Sequence, residues 1–285
     1  MKKAYPDIRL SHPKISKFVL FLVRLFGRLY LLVFLGVARV VLRGKKYMYE
    51  TFSRALSNES RCILAFRHPY GGEPQLLFWF TVFLLEKMAR KDKVRFSRRP
   101  HLLFIYGYEL LRWGGPIARW IMPNLGAMPI HHSKLDSKGM AYIYDALKNG
   151  PYPLAIAPEG QVSYTSETVP RLEQGTVRLG FQTADYLQKR GKHEPIEILP
   201  VSVHFRYGKV AKANLKSLLR KIEKYTGTGG GRDSIESPEF IRRVTLARDT
   251  ILELNEKRYN LPIDRDLPFE KRMDRVIEAA LDTAE

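Results

Sequence analysis

Arg67-His68-Pro69-Tyr70-Gly71-Gly72-Glu73 sets a histidine and an acid five residues apart, with a Gly-Gly pair between them. Imidazole is the side chain best able to take up a proton near neutral pH. A carboxylate on one ring nitrogen fixes the tautomer and leaves the other nitrogen to accept a proton. The glycines at 71 and 72 let the chain fold back so that Glu73 reaches His68, and let backbone N–H groups approach a ligand closely. No enzyme nucleophile accompanies the pair, so the pattern points to a substrate's own hydroxyl as the attacking group. Taken alone, the motif also fits a histidine bonded to backbone in a turn.

Three further segments carry polar residues beside apolar runs. Ala157-Pro158-Glu159-Gly160-Gln161-Val162-Ser163 places an acid in a Pro-Gly turn, where it faces the same crevice or forms a plain surface turn. Gly126-Ala127-Met128-Pro129-Ile130-His131-His132 ends in adjacent histidines. They resemble half a metal site, but neighbouring strand residues point to opposite faces, and no further ligand cluster accompanies them. No metal is expected. In Ile198-Leu199-Pro200-Val201-Ser202-Val203 the proline suggests an edge or strand-end position.

The elements that must position these residues follow a rhythm. Short apolar runs at Cys62–Phe66, Leu102–Tyr106, Ala127–Ile130, Leu154–Ala157 and Ile196–Phe205 alternate with helical patterns at Gln75–Arg90, through Trp120, at Ala141–Lys148 and at Gln174–Lys189. Such alternation predicts an α/β fold with a mostly parallel central sheet and helices on both faces. Polar loops at the carboxyl ends of the strands would then build the binding crevice. Thr226 to Gly231 reads as a linker, with charged amphipathic helices at Phe240–Tyr259 and Phe269–Ala284 beyond it.

At 285 residues, 45% hydrophobic and 27% charged, the chain is neither disordered nor a polytopic membrane protein. Its single cysteine, Cys62, excludes an internal disulfide framework and a multi-cysteine metal site. A net charge of +19 predicts an anionic partner. Residues 1–50 hold 11 Lys/Arg against 2 acids, and residues 209–285 hold 16 against 14, so the excess is N-terminal and central. Lys87, Arg90, Lys91, Lys93, Arg95, Arg98 and Arg99 surround one acid, Asp92. This stretch could meet anionic lipid or the acidic carrier of an activated substrate, or be a solvated loop. Nucleic acid is a weaker reading, because no nucleic-acid motif accompanies the charge.

Phe18 to Leu42 is apolar but interrupted by Arg24, Arg28 and Arg39. A spanning helix needs about 20 predominantly apolar residues. At 100° per residue, Arg24, Arg28, Arg39 and Arg43 share one face. A core helix and a true span remain open alternatives to a helix lying in the membrane interface, which the shared face favours. The expected organisation is a basic, amphipathic, membrane-anchoring helical segment over 1–50. An α/β domain over 51–285 follows it, its helical C-terminal part beginning after the 226–233 linker.

Together the four motif segments resemble the glycerolipid acyltransferases, the lysophosphatidic acid acyltransferase-like group of the lysophospholipid acyltransferase superfamily. His68 to Glu73 matches the family's His-x4-acid block, with Glu where Asp is commoner. Gly126 to His132, Pro158-Glu159-Gly160 with Ser163, and Leu199 to Val201 follow in the family's order, and the resemblance covers about residues 60–208. It implies O-acyl transfer from acyl-CoA or acyl-acyl carrier protein, as co-substrate rather than cofactor, to the hydroxyl of a lysophospholipid or related glycerolipid. His68 would be the general base oriented by Glu73, and Arg67, Gly71, Gly72, His132, Pro158, Glu159, Gly160 and Ser163 would bind substrate. The implied setting is peripheral or monotopic, on the cytoplasmic face of a membrane. The family's phosphate-associated Arg positions are His132 and Val162 here, and neither residue copies a planar bidentate Arg contact. Arg67, Lys134, Arg171 or Arg178 could supply that contact, or the acceptor's phosphate could sit elsewhere or be absent. The departure also motivates an alternative: an inactive, lipid-binding protein of the same fold at the membrane surface.

Overall fold

A computed structural model describes residues 12–131, 136–164, 169–206 and 208–283. The chain divides into two compact units, residues 1–204 and 205–285. The first holds a five-stranded, all-parallel sheet: β1 Arg61–Phe66, β2 Leu103–Gly107, β3 Met128–Ile130, β4 Leu154–Ile156 and β5 Ile196–Val201, in the order β3-β2-β4-β1-β5. Successive residues of a strand point to opposite faces, and both faces are apolar here. Leu64, Phe66, Phe104, Tyr106 and Ala155 enter one core, while Ile63, Leu103, Met128 and Leu154 enter the other. Two-sided burial is why the strands read as continuous apolar runs.

The first core is covered by α2 (Lys45–Leu56) and by a long helix built of α3 (Glu73–Trp79), wider π-helical turns over Phe80–Leu85, and α4 (Glu86–Lys91). Between β2 and β3 run α5 (Leu110–Trp113) and α6 (Gly115–Asn124). The second core lies under α7 (Ser137–Asn149) and α8 (Gly175–Gln188). Parallel crossovers are right-handed. The path from β1 to β2 therefore crosses one face, and the returns from β3 to β4 and β4 to β5 cross the other. The loops leaving the paired strands β1 and β4 depart in opposite directions, and in such sheets a crevice opens at the carboxyl ends between them.

Two expectations are corrected. The last strand ends at Val201 rather than Phe205, because Val201 is the partner of Phe66, where β1 itself ends. The N-terminal apolar segment is not one helix to Leu42. Helix α1 spans Lys17–Val33, and Gly36 (φ 65°) turns the chain so that Val37 N–H closes on Leu31 O at 2.8 Å. Arg39 and Arg43 therefore lie off the helix. Arg24 donates from Nε to Val82 O in the π-helical turns at 2.9 Å, and Arg28 donates to Val37 O and Ala38 O. Val19 and Leu31 are buried, whereas Phe18, Phe21, Leu25, Leu29 and Val33 are more than half exposed. Helix α1 thus turns these arginines to protein carbonyls and its apolar side outward. No described helix is long and apolar enough to cross a membrane.

The second unit contains α9 (Lys209–Thr226), α10 (Pro238–Arg258) and α11 (Phe269–Asp282). The glycine-rich run at 227–231 joins α9 to α10 inside this unit. Arg243 forks onto Glu223, with both bonds at 2.7 Å, and also binds Asp233. Arg272 forks onto the buried Glu256. The near balance of basic and acidic residues in this segment lets some of its charges pair internally in this way.

Candidate active site

The end of β1 delivers Arg67 and His68, and the short loop to Gly72 leads directly into α3. Glu73, in the first turn of α3, is fully buried, and its Oε2 lies 2.8 Å from His68 Nδ1. The same carboxylate accepts Tyr70 N–H on Oε1 and Gly71 N–H on Oε2, each at 2.8 Å. Gly71 has φ 103°, a conformation that side chains rarely adopt, which explains glycine at that position. Phe66 meets the His68 ring edge-on, with centroids 5.8 Å apart. The imidazole is thus held by a carboxylate on one edge and an aromatic ring on another. With Nδ1 donating to Glu73, Nε2 is left as the basic nitrogen. The His68 side chain is 17% exposed, so the ring is open to a ligand while its partner is not.

The loop after β4 meets this dipeptide from the neighbouring strand. Ala65 pairs with Ile156, so Arg67 and Glu159 emerge side by side. The Glu159 side chain is 1% exposed and accepts from Arg67 Nε and, at 3.3 Å, from His68 N–H. Burial pushes its carboxyl up. Hydrogen bonds from Ser163, Arg67 and His68 N–H, with the Arg67 charge, outweigh that and hold it below the ordinary carboxylate range. Ser163 N–H returns to His68 O at 3.0 Å. Gly160 (φ 71°) permits the turn, and Pro158 O accepts Glu173 N–H at 2.7 Å.

The structure therefore brings together His68, Glu73, Arg67, Gly71, Gly72, Glu159 and Ser163, with Pro158 and Gly160 shaping the second loop. Glu159 does not stand in a surface turn. Gly71 N–H is engaged by Glu73, so it is not a donor for an oxyanion. Gly72 packs beneath Leu35, whose Cδ1 would lie 3.1 Å from a Cβ at that position. His132 and Lys134 lie outside the described residues. Sequence reading missed that the segment after α1 touches the loop between His68 and Glu73, and that His131 stacks on Tyr108 with ring centroids 4.2 Å apart at the ends of β3 and β2. The first contact has no local sequence signal. The second needed the strand order. Among the described residues no cluster of three His, Cys, Asp or Glu side chains could hold a metal ion.

Residues 83–204 match the Acyltransferase family model. The match supports the family that the motif blocks resemble, and general acyltransferase activity with it. It takes in the second, third and fourth blocks and begins after His68 and Glu73. A search of curated proteins found no match.

Proposed function

We propose that this acyltransferase-domain protein moves a fatty acyl group from an acyl thioester to the hydroxyl of a lysophospholipid or related glycerolipid at a membrane surface. The observation that carries the reading is the 2.8 Å contact between His68 Nδ1 and the buried Glu73. It sits at the carboxyl end of β1, beside the Glu159 loop. His68 Nε2 takes the proton of the acceptor hydroxyl as its oxygen attacks the thioester carbonyl. An O–C bond forms, and the carbonyl oxygen carries the negative charge of the tetrahedral intermediate. Collapse breaks the C–S bond, and the departing thiolate takes the proton from the imidazolium. A thioester is already activated, and CoA or acyl carrier protein serves as its carrier. Gly72 N–H makes no hydrogen bond among the described residues, and we assign it to the oxyanion.

The exposed apolar side of α1, opposite arginines that bind protein carbonyls, supports a peripheral setting at a membrane surface. Leu35 joins that helix to the catalytic loop, which brings the site to the lipid. A positioned base contributes about 10²–10⁴-fold, so His68→Ala should lower thiol release from acyl thioesters by that factor with the fold retained. Near wild-type turnover would overturn the assignment. Val162 in place of the family's Arg favours one second reading, a lipid-binding protein without activity. That protein would bind vesicles and release no thiol from any acceptor and donor pair.

A further inference from the structure

Arg67 and Glu159 stand where sequence reasoning puts substrate ligands, yet the structure turns them toward each other. Three strands converge on the dipeptide Arg67-His68. Val201 O of β5 accepts Arg67 N–H at 3.0 Å. From the β4 side, Glu159 accepts His68 N–H at 3.3 Å, and Ser163 donates its N–H to His68 O at 3.0 Å. The amide and the carbonyl of residue 68 are therefore both held by the loop after β4. Glu159 is in turn fixed by the Arg67 guanidinium in a pair whose acid is 1% exposed.

We infer that Arg67 and Glu159 are positioning residues: with Ser163 they clamp the backbone of residue 68 to the β4 loop, so that the imidazole oriented by Glu73 has a fixed origin. The inference rests on His68 being the base. Glu73, in the first turn of α3, and Phe66 fix the ring's direction, but neither holds the amide or the carbonyl of residue 68. The clamp does so, and ties the His68 loop to a second strand, outside its own segment. Misplacement of a reacting group by about 1 Å can cost about 10²-fold in rate. Loss of the clamp should therefore appear in kcat. Loss of a substrate ligand should appear in the KM for the acceptor.

The test measures kcat and acceptor KM by thiol release for Glu159→Ala, Glu159→Gln and Arg67→Lys, with His68→Ala in parallel. Glu159→Ala should lower kcat about 10²-fold, with acceptor KM close to wild type. Glu159→Gln keeps an oxygen for Arg67 and His68 N–H, and should recover most of the loss. Arg67→Lys keeps the charge without the planar fork and should fall between the two. If Glu159→Ala fails to fold, the other two variants decide, since both keep a polar partner in place. A rise in acceptor KM with kcat unchanged would overturn the clamp and restore substrate contact. Wild-type kinetics in folded Glu159→Ala or in Arg67→Lys would overturn it as well. Full activity in His68→Ala would instead remove the base itself, so the two failures are distinguishable.

Discussion

Glu73→Gln changes one atom of the buried carboxylate and almost nothing of its size. Oε1 accepts from Tyr70 N–H, and Oε2 accepts from both His68 Nδ1 and Gly71 N–H, each at 2.8 Å. A carboxylate meets all three donors, whereas an amide offers one oxygen and one NH2. With the amide oxygen in the Oε2 place, its NH2 confronts Tyr70 N–H, and the developing imidazolium loses a compensating charge. With the two exchanged, NH2 confronts Gly71 N–H and Nδ1. The ring then keeps a bond only by switching tautomer, which puts the proton on Nε2 and removes the base. Either arrangement lowers kcat, by about 10²-fold or more within the range of a positioned base. A donor facing a donor in a buried site costs about 1–3 kcal/mol, and Tm should fall roughly 2–4 °C per kcal/mol in a unit of this size. The assay is thiol release at saturating acceptor. Cys62 does not interfere in the folded protein, because burial pushes its thiol up to about 12. Glu73 acts through the ring, so the variant carrying both His68→Ala and Glu73→Gln should be no slower than His68→Ala alone. Wild-type kcat in Glu73→Gln, or multiplicative losses in the double variant, would refute the dyad.

Other predictions address the scaffold. His101 is 2% exposed, donates from Nε2 to Leu125 O, and has no partner for Nδ1 among the described residues. Burial lowers its pKa from 6.5 to about 4. The unfolded chain therefore protonates first, and this stability is complete above about pH 6.5 and lost as pH falls toward 4, to a total of roughly 3 kcal/mol. His101→Phe should flatten the dependence of Tm on pH in that window, and an unchanged slope would count against the buried neutral ring. A Cβ at Gly27 would lie 2.2 Å from Trp79 Cδ1, so Gly27→Val should lower Tm by overpacking worth about 1–3 kcal/mol. An unchanged melt would mean that α1 does not pack there. The triple change Phe21→Gln, Leu25→Gln, Leu29→Gln alters only exposed side chains. It should leave Tm in place while weakening co-sedimentation with vesicles about 10²-fold or more, at ~1.5–3 kcal/mol per fully buried side chain. Unaltered co-sedimentation would move the membrane contact elsewhere.

Local features of the site were legible, and those set by strand order were not. His68 and Glu73 lie five residues apart, so a turn decides whether they meet. Arg67 and Glu159 meet only because β4 lies beside β1 with Ala65 opposite Ile156, an adjacency that chain order does not give. The central strands could be read because burial on both faces makes them apolar throughout. The end of β5 could not, because it is set by the length of its one partner, β1. The end of α1 escaped for a different reason. Apolar residues continue through Val40 and Leu42, and periodicity does not see one glycine at φ 65°. Helices α2 and α9 were not anticipated. The first straddles the expected boundary at residue 50, and the second carries its apolar stripe of Leu215, Leu218, Leu219 and Ile222 among many lysines.

Where the positive charge sits decides which step salt should act on. In the loops after β1 and β4 Arg67 is paired with Glu159, and His68 with Glu73. Around residues 87–99 the arrangement is the reverse. Asp92 is taken by Lys45 at 2.7 Å and Tyr49 at 2.9 Å, and Glu86 by Arg90. Lys87, Lys91, Lys93, Arg95, Arg98 and Arg99 are all exposed, with no acid partner among the described residues. Exposed charges are screened over about 10 Å at 0.1 M salt and about 3 Å at 1 M, while a buried pair is screened far less. Raising salt should therefore weaken the encounter with anionic vesicles or an acidic carrier, and raise KM. It should leave kcat at saturation unchanged. A kcat that falls with salt at constant KM would place the working charge inside the site and contradict the pairing of Arg67 with Glu159.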